Sequence, residues 1–116
     1  MITLPFPPAS LSGHAKGNWH VKAAETKKHR QWANLATAEW LRKNPCAFGD
    51  GDICVRIQFT PPDNRSDRAN FPIRAKSYLD GVADALNVND RRFLPSYEFL
   101  PPAKPGAVCI TLEAAA

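Results

Sequence analysis

The stretch Ile53-Cys54-Val55-Arg56-Ile57-Gln58-Phe59 decides the fold class. Ile53, Val55, Ile57 and Phe59 fall on one side of an extended chain and Cys54, Arg56 and Gln58 on the other, the two-residue period of a strand with one buried face. Pro61-Pro62 stops it. A one-faced strand needs cover, and helical segments flank it. From Ala23 to Lys43 runs a segment of good helix formers without Gly or Pro, closed by Asn44-Pro45 because proline disfavours helical geometry in the residue before it. Lys28, Trp32, Leu35 and Ala38 share one side of that helix. Downstream, Pro72 suits a first helical turn, and the spacing predicts a helix from Ile73 to Leu86. Its apolar stripe is Ala75, Leu79, Val82 and Leu86, with Tyr78 beside it and Lys76, Asp80 and Asp84 opposite.

Further out, Ile2, Leu4 and Phe6 alternate with Thr3 and Pro5, a short strand that must lie at a sheet edge to tolerate the proline. Residues 7–21 are rich in turn formers and read as a loop. Ala107 to Leu112 is a final strand, and Tyr97 to Leu100 a candidate for another. This order predicts an α+β domain in which two helices pack on one face of a small, mixed β-sheet. Such a sheet has exposed edges, which makes a homodimer the expected assembly.

A chain of 116 residues holds one domain, 1–116, and 44% hydrophobic against 22% charged residues is a globular composition. No stretch approaches the roughly 18 apolar residues of a membrane span, and Pro5, Pro7 and Pro8 interrupt the N-terminal run, so a cytoplasmic protein without membrane association is expected. The three cysteines, Cys46, Cys54 and Cys109, are odd in number and lack metal-ligand or redox spacing, and read as reduced packing residues. The formal charge of +4 favours a polyanionic partner.

Carboxylates that meet from a loop and from beyond a helix end suit Mg²⁺, which takes oxygen ligands and keeps several waters. Asp67 and Asp90 are the candidates for that role. Each has a plainer reading, Asp67 as a turn or cap residue and Asp90 as a loop residue. Arg65, Arg68, Arg74, Lys76, Arg91 and Arg92 surround them in sequence, and acidic ligands within a basic setting are what phosphodiester hydrolysis on nucleic acid requires. Lys76 would stabilise charge on a phosphate oxygen. Lys76, Asp80 and Asp84 follow one another at four-residue spacing on the solvent side of the helix, so Asp80 and Asp84 read as ordinary surface residues whose pairings are worth about 0.2 to 0.5 kcal/mol each. A second basic concentration, Lys16, Lys22, Lys27, Lys28 and Arg30 against Glu25 alone, could track a phosphate backbone together with Arg65, Arg68 and Arg74. Of the aromatics, Trp19 is the candidate for stacking on a base or sugar, and His14, His20 and His29 lack metal-ligand spacing.

Three segments carry a family resemblance: Ile2-Thr3-Leu4-Pro5-Phe6-Pro7-Pro8, Arg65-Ser66-Asp67-Arg68-Ala69-Asn70, and Lys76 followed by Leu79-Asp80-Gly81-Val82-Ala83-Asp84-Ala85-Leu86 and Asn89-Asp90. In that order they resemble RusA-type Holliday junction resolvases. The resemblance implies a homodimeric, Mg²⁺-dependent endonuclease, typically encoded by a phage or prophage, that resolves four-way DNA junctions by paired incisions. It assigns Asp67 and Asp90 to the metal, Lys76 to catalysis and Asn70 to the DNA-contacting loop. Lys76 rather than Arg74 matches the family's lysine. The family carries a second aspartate where this chain has Ala69. On an extended backbone that aspartate would point the same way as Asp67, and alanine supplies no ligand. Compensation by Asp63 or Asp84 is one expectation, and a structure-selective DNA-binding protein that does not cleave is the alternative. A small basic domain with an acidic protein partner is the third.

Overall fold

The alternation of the central segment is realised in strand β2, Ile53–Thr60, whose Ile53, Val55, Ile57 and Phe59 are all fully buried. The computed structural model describes residues 1–12, 19–45 and 48–115. Its elements are β1 (Ile2–Leu4), α1 (Trp19–Lys43), β2, α2 (Phe71–Arg74), α3 (Lys76–Leu86), β3 (Phe93–Phe99) and β4 (Ala107–Ala114), with single turns of 3₁₀ helix at Ala9–Leu11, Arg68–Asn70 and Asp90–Arg92. The sheet order is β1-β4-β2-β3. β3 runs parallel to β2, and β4 is antiparallel to both β1 and β2, so the sheet is mixed and the α+β class holds. β1 is an edge strand, the place where Pro5 beyond its end costs nothing in ladder bonds.

Both long helices cover the sheet face that carries Val55, Ile57, Val108 and Ile110, and Tyr78 and Val82 of α3 are fully buried against it. The opposite face, with Arg56, Gln58 and Glu98, is polar, and Gln58 donates to Glu98 across the β2–β3 pair at 3.1 Å. Cys54 and Cys109 are free thiols, half-buried on this polar side rather than in the core, and Cys46 lies outside the described residues. Among the described residues no helix is long and apolar enough to cross a membrane.

The buried line of α1 is not the expected one. His29, Ala33 and Thr37 face inward, whereas Leu35 is 62% exposed and Trp32 lies at the margin with its ring 4.8 Å from that of His29. The reason is a close helix crossing. A Cβ added at Gly81 would lie 2.1 Å from the Arg30 carbonyl oxygen and 2.7 Å from Ala33 Cβ, so at this crossing point α1 and α3 have room only for Gly81 and Ala33, while one turn away His29 packs its ring 5.4 Å from that of Tyr78. Trp19 opens α1 rather than belonging to a loop, and it is largely exposed.

The helix expected from Ile73 is two helices. Pro72 sits in the first turn of α2, and Ala75, at φ −92° and ψ 0°, leaves helical geometry before α3 begins. The break has a consequence for packing: it turns Arg74 into the protein. The guanidinium, only 7% exposed, donates to the Pro7 carbonyl at 2.8 and 3.2 Å and lies over the rings of Phe6 and Phe71. Tyr78 donates to the Pro5 carbonyl at 2.6 Å. The proline-rich segment after β1 is thereby fastened to both helices. β3 starts at Phe93, earlier than the expected Tyr97, because its pairing with β2 supplies a register that the short apolar signal did not.

Candidate functional site

α3 ends in a left-handed residue, Asn87 at φ 56° and ψ 47°, a conformation Asn tolerates better than most side chains. The next turn is held by Asn89, whose side-chain oxygen accepts from the backbone N–H of Arg91 at 3.0 Å. These two asparagines double the chain back along α3 and set Asp90 beside Asp80. Lys76, at the start of α3, reaches both: its Nζ donates to Asp80 Oδ1 at 2.8 Å and to Asp90 Oδ2 at 2.5 Å. Lys76 and Asp90, both expected in the site, therefore meet in the fold.

The same cleft, about 270 Å³ in volume, is lined by Arg30, Asp80, Asp84, Asn89 and Asp90. Arg30 comes from α1 and grips Asp84 with two bonds of 2.7 and 2.9 Å, a bidentate fork rather than a point contact. The electrostatics follow from these pairs. Hydrogen bonds from Lys76 hold the Asp90 carboxyl below its ordinary range. Asp80 and then Asp90 raise the Lys76 ammonium, Arg30 lowers Asp84, and Asp84 raises Arg30. A larger groove of about 590 Å³ at the far end of α1, with Trp40, Asn44, Phe48 and Leu112 in its wall, has the single carboxylate Glu113 and no comparable chemistry among its described lining.

Asp67 does not line the cleft. It is exposed on the loop before α2, where its Oδ1 accepts from the backbone N–H of Ala69 at 3.0 Å as the cap of the Arg68–Asn70 turn. That turn also corrects the geometry expected around Ala69. Residues 68–70 are helical rather than extended, so strand alternation does not place residue 69 on the side of Asp67. Asp63 accepts from the Arg65 backbone N–H at 3.0 Å, a turn role of the same kind. Among the described residues no group of three or more His, Cys, Asp or Glu could hold a metal ion.

The basic residues divide. Lys22, Lys27 and Lys28 are exposed along α1, with Lys28 bonded to Glu25 at 3.1 Å and lying over the Trp32 ring, and Arg65 and Arg68 are exposed on the loop. Asn70 is half-buried at the start of α2, Arg30 is committed to Asp84, and Lys16 and His14 lie outside the described residues. Arg74 is withdrawn from the expected phosphate-tracking set because its guanidinium is buried on Pro7. Likewise Arg92 is spent on the carbonyls of Gly49 and Gly51. The surface pairing of Asp80 with Lys76, expected from their four-residue spacing, is present, but Asp80 also faces Asp90, which only the doubled-back chain reveals.

No family model matches the chain. An uncharacterized protein of Xylella fastidiosa (strain Temecula1 / ATCC 700964) is 33% identical to it over 94 residues, 80% of this chain and 61% of that protein. The chain thus spans less than two thirds of the relative's length, and the likeness carries no activity with it.

Proposed function

We propose that this chain is a Mg²⁺-dependent endodeoxyribonuclease of the RusA type that acts as a homodimer on four-way DNA junctions. The observation that carries the reading is the meeting of Lys76, Asp80 and Asp90 at one open cleft in a chain of net charge +4. The donor set suits the ion: Asp80 and Asp90 offer hard oxygens, and Mg²⁺ commonly takes one or two carboxylates and completes its shell with water and substrate phosphate. The resemblance assigns Asp67 to the ion as well, but that side chain is exposed on the loop before α2 and does not line the cleft, so we put the ion on Asp80 and Asp90. When bound, the ion would supply electrophilic activation of the scissile phosphate and of the attacking water.

The chain's own contribution is orientation and charge. Asp90 and Asp80 fix the position of positive charge in the cleft, and the Lys76 ammonium, still carrying a free N–H, donates to a phosphate oxygen as negative charge builds there. Arg30 and Asp84 tie α1 to α3 along the rim and hold the carboxylates in place. Lys22, Lys27 and Lys28 on α1, with Arg65 and Arg68 on the loop, supply exposed cations for the DNA backbone. β3 leaves one edge of the sheet open, and Ile73, Tyr97 and Phe99 are each 40 to 47% exposed, apolar surface that supports pairing of two copies.

A second reading has its own support. Asp67 is engaged by a backbone N–H, Asp84 by Arg30, and position 69 has no oxygen to offer, which favours a junction-binding protein that does not cut. Incubation of the chain and its Ala69→Asp variant with a synthetic four-way junction and with linear duplex, each with and without Mg²⁺, separates the readings. Mg²⁺-dependent cleavage of the junction by the chain supports the nuclease. Junction-selective binding without cutting by either protein supports the second reading, and failure of both to prefer junctions overturns the two together.

A further inference from the structure

We propose that Lys76 is the resident counter-ion of the Asp80–Asp90 pair, and that a divalent cation entering the cleft takes both carboxylates and displaces the ammonium toward the substrate phosphate. The inference rests on the reading of the cleft as a cation site and adds how that site is kept and switched. Two carboxylates share one ammonium, at 2.8 and 2.5 Å, which leaves one negative charge uncompensated. Arg30 makes its direct bonds to Asp84 and acts on Asp80 and Asp90 only through longer-range attraction. The two ion pairs of the cleft therefore differ in kind. Arg30 and Asp84 join two helices through a planar, bidentate contact, whereas Lys76 is 58% exposed on a flexible four-carbon stem and can move without disturbing packing.

A doubly charged ion bound to Asp80 and Asp90 would neutralise the pair and repel the ammonium at close range. The side chain would then swing into the open cleft, where its N–H groups meet a phosphate. Lysine thus keeps the carboxylates together while the cation is absent and turns to the substrate when it arrives. The cation and Lys76 compete for the same oxygens, so each weakens the hold of the other.

Mn²⁺ binding, measured at constant ionic strength by the electron paramagnetic resonance signal of the free ion, tests the competition on the whole chain, on Lys76→Met and on Asp90→Asn. Lys76→Met should bind about 1.5- to fivefold more tightly than the parent, the range that removal of an exposed ion-pair competitor implies, and Asp90→Asn should bind more weakly. Equal or weaker binding by Lys76→Met overturns the displacement while leaving the cation site standing. Absence of binding by the parent and by Lys76→Met, or full binding by Asp90→Asn, overturns the cation site and the displacement with it. A second readout needs no variant: the two ε-proton signals of Lys76 should move together as Mg²⁺ frees the side chain, and unchanged signals at saturating Mg²⁺ contradict the proposal.

Discussion

Lys76 Nζ lies 2.5 Å from Asp90 Oδ2 although fourteen positions of chain and nearly the whole of α3 separate the two residues. The pairing exists because Asn87 reverses the chain in a left-handed turn and Asn89 caps the turn that follows. It makes the cleft a property of the α3–β3 connection rather than of a single helix face.

Acid should weaken the fold through the cleft carboxyls. Asp84 and Asp90 sit below their ordinary value of 3.8, so the stability they contribute is present above that value and is lost as pH falls through their folded values. Lys76 is raised above 10.5, and its contribution is complete below that value and is lost as pH rises through its folded value. All three groups are partly exposed, so the slopes will be shallow. Urea unfolding across pH 2 to 5 should show a smaller acid loss in Asp84→Asn than in the parent, and equal losses would contradict the pairing with Arg30.

Gly81→Ala should be among the most damaging single-methyl additions in the chain. The new Cβ meets the Arg30 carbonyl at 2.1 Å and Ala33 Cβ at 2.7 Å, so α1 and α3 must separate. A loss of about 2 to 3 kcal/mol is expected from overpacking of this kind, readable as a lowered urea midpoint. A variant as stable as the parent would mean that the helices do not cross this closely.

Arg74→Ala should destabilise without touching DNA binding. Removing the guanidinium strips the buried Pro7 carbonyl of both donors, a cost of about 1 to 3 kcal/mol. Junction affinity per folded molecule should equal that of the parent. A loss of affinity with unchanged stability would return Arg74 to the DNA-contacting set.

Salt should report on the α1 lysines. If Lys22, Lys27 and Lys28 each meet a phosphate, replacing all three with Ala lowers the slope of log affinity against log salt by about 0.9 for every phosphate no longer neutralised. An unchanged slope in an electrophoretic mobility-shift series would place the DNA elsewhere.

Much of the fold was legible where one periodicity ruled. The alternation at Ile53–Phe59 marked β2 and its buried face, and Pro72 and the stripe through Leu79 and Val82 marked the second helical region. The face of α1 was not legible, because Gly81 on another helix meets α1 at Ala33, and that turns the line through His29, Ala33 and Thr37 inward and leaves the more apolar Leu35 outside. The burial of Arg74 depends on a carbonyl at Pro7, far away in the chain. In the site, Lys76 and Asp80 showed their relation by four-residue spacing, and Asp90 stood out as a carboxylate beyond the helix end and again through the resemblance, whereas its partnership with Asp80 needed the turn at Asn87 and Asn89. The pair Arg30–Asp84 spans 54 positions and left no local trace.

Single-turnover cleavage of a radiolabelled four-way junction by the parent and by Asp90→Asn, with Mg²⁺ and with junction binding measured in parallel, addresses the cleft's function most directly. The account predicts paired incisions by the parent, a rate lower by about a hundredfold or more in Asp90→Asn, and junction affinity that is not reduced. Equal cleavage by the two proteins, or none by the parent at saturating Mg²⁺ and full junction occupancy, would contradict it.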